Sequence, residues 1–229
     1  MKINHPLVKG VVKEIKPNIY CVLVDDNYDR AMLFCRYQEF YESQYKQFRG
    51  KSFTWMEYMR FYKNDWKKDV FTYPEDWSGY NIPCDKLQRA HHIFCGETEY
   101  DDVMNDIYFH CSADSKKKNN GKHTDWYLIG ASSKDLRTLD HEIAHALYFT
   151  NKSYKKDVSK LIKGIKSIHY DKLKKKLIKM GYVNDKKIID DEIQAFMSTG
   201  LYNGMDTKEL KKYEQSFVDN FKKYKNEKF

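Results

Sequence analysis

Thr138-Leu139-Asp140-His141-Glu142-Ile143-Ala144-His145-Ala146-Leu147 places two histidines four residues apart in a run with helical apolar periodicity. On an α-helix, positions i and i+4 share a face about 6 Å apart along the axis, so the imidazoles of His141 and His145 can reach one metal ion. Glu142 sits about 100° round the helix, where its carboxylate can take a proton from a metal-held water without displacing either histidine. Ile143, Ala144, Ala146 and Leu147 are uncharged in a chain that is 32% charged, so this helix is expected to be buried. Two buried imidazoles and a carboxylate need partners, because an unsatisfied polar group in the interior costs kilocalories. Metal ligation satisfies all three. The competing reading is an amphipathic helix whose histidines make local hydrogen bonds.

The stretch resembles the H-E-x-x-H signature of the zincin metallopeptidases over about ten residues. The resemblance implies a zinc ion bound by His141 and His145, Glu142 as general base, and a peptide or protein substrate. Metzincins continue H-x-x-G-x-x-H, but Tyr148 stands at the glycine position and Asn151 at the last histidine. Gluzincins take a glutamate from a later helix, and by that resemblance the third ligand is Glu192, in Asp190-Asp191-Glu192-Ile193-Gln194-Ala195-Phe196. Ala195 completes a loose E-x-x-A pattern, and Phe196 replaces the aspartate of the thermolysin-like E-x-x-x-D. Asp191 and His169 are alternative third ligands on chemistry alone. The same features are similar to the ImmA/IrrE-like metallopeptidases. SprT-like proteases share the opening helix, but their downstream His-Gly pattern and cysteine-pair ribbon are missing. Tyr148, His169, Tyr182 and Tyr202 have the chemistry to stabilise an oxyanion, and the sequence does not rank them.

With 229 residues, 19 Tyr and 13 Phe, the chain can bury a proper core. The expected class is α+β and predominantly helical: a zincin-like core with a small β-sheet and the H-E-x-x-H helix. The expected division is a helical region with a short strand over 1–95 and a catalytic region over 96–229, or one compact domain. Cys21, Cys35, Cys84, Cys95 and Cys111 are an odd set without C-x-x-C spacing, and Met1 to Tyr20 contains no apolar signal-peptide core. These features, with no run of eighteen apolar residues, predict a reduced, cytoplasmic chain that does not span a membrane.

Working outward, Val8 to Val12 and Ile19 to Val24 read as strands, and two helices follow, with Met32 to Tyr41 on one and Trp55 to Trp66 on the other. Pro74 to Pro83 reads as an irregular loop and Lys86 to Phe94 as a helix whose His91 and His92 diverge too far to share a metal. Asp106–Cys111 and Trp126–Ala131 predict a hairpin across a lysine-rich turn. Its second strand, by resemblance, is a candidate substrate-pairing edge at Leu128 to Ala131, with Gly130 permitting close approach; an interior strand is the competing reading. Ser133 is the expected N-cap of the histidine helix, with Asp135 in its first turn. Helices continue beyond Asn151, punctuated by Gly181, Asn184-Asp185, Gly200 and Asp206-Thr207.

The basicity is local: residues 151–179 hold eleven lysines against Asp157 and Asp171, a net of +9 beside +8 for the whole chain. A lysine-covered surface can meet nucleic acid or another polyanion, so the alternative function is a non-catalytic, zinc-stabilised binding protein. The stretch has no arginine and no interleaved aromatic platform, which favours solvated faces. That reading predicts no measurable DNA or RNA binding near ~150 mM salt. A Kd that weakens by about 10³-fold or more between ~50 and ~200 mM salt in fluorescence anisotropy would instead support phosphate contacts.

Overall fold

The computed structural model describes residues 1–94, 96–122, 124–201 and 207–227; Cys95, Tyr202 and the proposed helix start at Asp206 lie outside them. It is α+β and predominantly helical, with one five-stranded mixed sheet. The chain falls into two compact units, Met1–Leu139 and Asp140–Phe229.

In the first unit, β1 (Lys2–Asn4), β2 (Lys9–Lys16) and β3 (Ile19–Leu23) form an antiparallel meander. The β2–β3 turn closes at Pro17-Asn18, with Asn18 at a left-handed φ of 62°, a conformation asparagine tolerates. The full sheet order is β1-β2-β3-β5-β4, where β4 is Tyr80–Pro83 and β5 is Tyr127–Ala131. β5 runs parallel to β3 and antiparallel to β4. A parallel neighbour requires a crossover. That crossover carries α1 (Asn27–Glu42), α2 (Trp55–Asp65), α3 (Tyr73–Asp76), α4 (Cys84–Phe94) and α5 (Glu99–Lys118). β5 therefore lies inside the first unit's sheet, between β3 and β4.

Three local expectations change. Asp106–Cys111 is not a strand but the middle of α5. Thr98 and Asp101 form a capping box, with Asp101 N–H on Thr98 Oγ1 at 3.2 Å and Thr98 N–H on Asp101 Oδ2 at 3.0 Å. Val103, Ile107, Cys111 and Ser115 then fall on one buried face at four-residue spacing, and that packing overrides the β-propensity of Ile107-Tyr108-Phe109. The stretch ending at Pro83 contains the edge strand β4, a place where a missing N–H is tolerated. β5 is interior, so Leu128 to Ala131 is not a free edge, and its glycine serves packing instead. A Cβ on Gly130 would come within 2.4 Å of the Phe34 ring, which stacks on Tyr80 with centroids 5.3 Å apart.

The second unit contains most of α6 (Leu136–Thr150) and all of α7 (Lys152–Lys163), α8 (Ser167–Lys179), α9 (Lys186–Thr199) and α10 (Lys208–Asn226). α9 packs against α7, α8 and α10. Tyr154, Val158 and Ile162 of α7, Leu173 and Leu177 of α8, Ile189 and Ile193 of α9, and Phe217 and Phe221 of α10 form the buried faces. Cys21, Cys35, Cys84 and Cys111 are buried free thiols, and among the described residues no helix is long and apolar enough to cross a membrane.

Gly130→Ala should destabilise the first unit by about 1–3 kcal/mol, because the ring it strikes is held in a stack. An unchanged urea midpoint would show that Phe34 can move aside freely.

Candidate metal centre

Helix α6 is capped at Asp135, two residues after the expected cap Ser133. Asp135 Oδ1 accepts the Thr138 N–H at 3.0 Å, and the Asp135 carbonyl accepts the Leu139 N–H at 3.0 Å. Ser133 instead donates its hydroxyl to Asp25 at 2.8 Å. Aspartate caps about as well as serine, and its charge adds a favourable interaction with the positive end of the helix dipole, while the Ser133 hydroxyl is taken by Asp25. From this start, Glu142 and His145 fall on the buried face and His141 stays partly exposed.

Helix α9 begins at Asp185, whose side chain accepts the Lys187 N–H at 2.8 Å, and ends at Gly200 with φ 111°. Between these ends, Glu192 is carried inward, 3% exposed. The donor atoms of His141, His145 and Glu192 all lie within 4.8 Å of one another. His145 Nε2 is 3.2 Å from His141 Nε2 and 3.6 Å from Glu192 Oε1, and His141 Nε2 is 3.8 Å from Glu192 Oε2. A tetrahedral zinc with bonds of 2.0–2.1 Å requires ligand atoms about 3.3–3.4 Å apart, so the imidazole pair would open slightly and the Glu192 carboxylate would close by a few tenths of an ångström. Glu192 Oε2 is buried without a hydrogen-bond partner among the described residues. An orphaned carboxylate oxygen of this kind is costly unless a cation answers it.

The direction of each surrounding hydrogen bond sharpens the case. Asp191 Oδ1 lies 2.9 Å from His145 Nδ1; a carboxylate accepts, so Nδ1 donates and Nε2 is the nitrogen that faces the shared point. Thr199 Oγ1 donates to the Ala195 carbonyl at 2.8 Å, so its 3.4 Å contact with His141 Nδ1 uses the oxygen as acceptor. His141 Nε2 is left facing His145 and Glu192. The two Nε2 atoms and the Glu192 carboxylate converge, an arrangement that calls for a cation, either a metal ion or a proton on an imidazole. Burial by itself would push the His145 pKa down, but the charges of Asp191 and Glu192, the Asp191 hydrogen bond and the charge of Glu142 outweigh it. They hold it well above the usual imidazole range.

The alternative ligands are placed differently. Asp191 engages the Nδ1 side of His145 rather than the shared point, and His169 lies against the Tyr213 ring, centroids 6.0 Å apart. Of the oxyanion candidates, Tyr182 meets the edge of Phe196, whose ring packs 4.6 Å from that of His141, and Tyr148 lies under Lys155. Thr199 was not singled out by the sequence reading. Its signal is the spacing Glu192-Ala195-Thr199, seven residues that return to within about 20° of the same helix face.

Comparisons of the chain with protein-family models, curated proteins and solved structures found no match.

If the three groups hold zinc, Asp191→Ala should weaken its binding about 10- to 100-fold, the usual cost of losing the partner of a ligating histidine. Competition against a chromophoric chelator measures this; an unchanged affinity would mean that His145 needs no orienting carboxylate.

Proposed function

We propose that this chain is a zinc-dependent metallopeptidase of gluzincin type, with α6 and α9 as the two ligand helices of a zincin-like catalytic core. The observation that carries the reading is the meeting of three potential ligand atoms, from His141, His145 and Glu192, at one largely buried point. Three protein donors leave a fourth position for water, as in catalytic zinc sites, which favours hydrolysis over a zinc-stabilised binding module. Zinc held there would supply an acidified water, pKa near ~7, and an electrophile for the scissile carbonyl.

The chain's own residues divide the remaining work. Asp191 and Thr199 keep Nδ1 of each histidine protonated, so that Nε2 is available as ligand. Glu142 is 5% exposed and its charge acts on His145, which supports a role close to the metal ligands. As a general base it would accept the water's proton and return it to the leaving amine. His141 is the most open member of the set, its side chain 17% exposed beside 3% for His145 and 4% for Glu192, so access for water and a peptide is expected on its side.

The purified protein should carry about one zinc per chain, and replacing both His141 and His145 with Ala should remove it. Glu142→Gln should retain the metal while lowering peptide hydrolysis by about 10²–10⁴-fold. Glu192→Ala should lose zinc affinity and the stabilisation that bound zinc confers. Zinc content, melting temperature and peptide-library hydrolysis test the set together; full zinc occupancy in the double-histidine variant, or parental turnover in Glu142→Gln, overturns the proposal.

A further inference from the structure

Behind Asp191 lies a second polar group buried in the helical interior. Gln194 is 0% exposed, and its Nε2 donates to Asp191 Oδ1 at 3.0 Å. This is the carboxylate oxygen that accepts from His145 Nδ1. The Gln194 carbonyl oxygen in turn accepts the hydroxyl of Tyr154, from α7, at 2.7 Å, and Ser198 Oγ lies 3.3 Å from that hydroxyl. Tyr154 is also 0% exposed, with its ring edge-on to Tyr224 at 5.4 Å.

The direction of this chain is determined at both ends. Turning the amide over would put the Gln194 oxygen against the Asp191 carboxylate, two acceptors face to face, so the observed orientation is the satisfied one. Burial pushes the Tyr154 hydroxyl pKa up, so it stays protonated and can donate. The placement also follows a helical rule. Asp191, Gln194 and Ser198 are spaced i, i+3, i+7 on α9, one line of side chains beside the line of Glu192, Ala195 and Thr199.

We infer that Gln194 and Tyr154 are positioning residues for the metal centre, forming a directed relay, Tyr154 to Gln194 to Asp191 to His145, that fixes the Asp191 carboxylate on His145 Nδ1. The inference rests on the proposed metal site. A glutamine chosen only to fill space would not have both ends of its amide answered in these directions. An apolar side chain of similar size would fill the volume without leaving buried polar groups to satisfy.

A double-mutant cycle separates the relay from mere packing. Gln194→Met keeps the volume and removes both hydrogen bonds; Tyr154→Phe removes one hydroxyl. Zinc affinity by chelator competition should fall about 10- to 100-fold for Gln194→Met, as for the loss of other outer partners of a ligand. For Tyr154→Phe it should fall about 2- to 10-fold, the range of one net hydrogen bond. Because the relay acts through Asp191, Gln194→Met in an Asp191→Ala background should cost less than about 2-fold further. The cobalt(II)-substituted forms should show altered visible bands in Gln194→Met, and circular dichroism of the metal-free variants should match the parent. If the losses are additive with Asp191→Ala, or if neither variant that folds like the parent loses affinity, the relay is overturned while the metal site stands. If Gln194→Met does not fold, the same test on Tyr154→Phe decides. A parent chain that takes up neither zinc nor cobalt overturns the metal site, and the relay with it.

Discussion

With Asp191 on His145 Nδ1 and Thr199 beside His141 Nδ1, the two Nε2 atoms turn toward each other and toward Glu192 at a largely buried point of the second unit. Like-natured donors held this close are unfavourable unless something positive joins them. A metal ion does so at the observed spacing; a proton on His145 does so in the metal-free protein, where the surrounding carboxylates already favour it. The caps at Asp135 and Asp185 follow from the same demand, because a slip of one residue on either helix would rotate a ligand by about 100° away from the shared point.

Helix α9 shows how much of such a site one short segment can encode. Its interior line of Ile189 and Ile193 anchors it in the second unit's core. A second line presents Glu192, then Ala195, whose small side chain spares room, then Thr199. A third presents Asp191, Gln194 and Ser198. The ligand, the partner of each histidine and the support behind one partner therefore share fourteen residues. Polar groups buried in such numbers weaken a core unless every member is answered, and in this helix the hydrogen bonds around Asp191 and Gln194 are answered from α6 and α7.

The candidate site was more legible in the sequence than the architecture around it. His141, Glu142 and His145 are close in sequence, so helical periodicity alone brings them near one another, and the Asp185 and Gly200 punctuation marks out the helix bearing Glu192. The role of Asp191 was not legible, because neighbouring acids both have ligand chemistry and only their three-dimensional placement tells which reaches Nε2 and which Nδ1. In the first unit, Ile107-Tyr108-Phe109 has strand-like propensity, and the decisive signal was the short Thr98-x-x-Asp101 cap upstream of it. The four-residue strand β4 is too brief for alternation to speak, and β5 looks alike as edge or centre because a strand buried on both faces carries no polar side.

The relation between metal and stability follows from these contacts. In the second unit, α6 and α9 are joined at their polar faces by the very groups that would ligate the ion. Binding energy realised at that point is therefore also energy that holds the two helices together, since the unfolded chain does not present the three donors at ligand spacing. At free metal about 100-fold above Kd, linkage contributes about 2.7 kcal/mol, a substantial fraction of the roughly 5–15 kcal/mol by which domains are stable. A relay that tightens the site thus acts on folding as well as on chemistry. Buried hydrogen-bonding residues such as Gln194 and Tyr154, outside the proposed ligand set, would in this way bear on both.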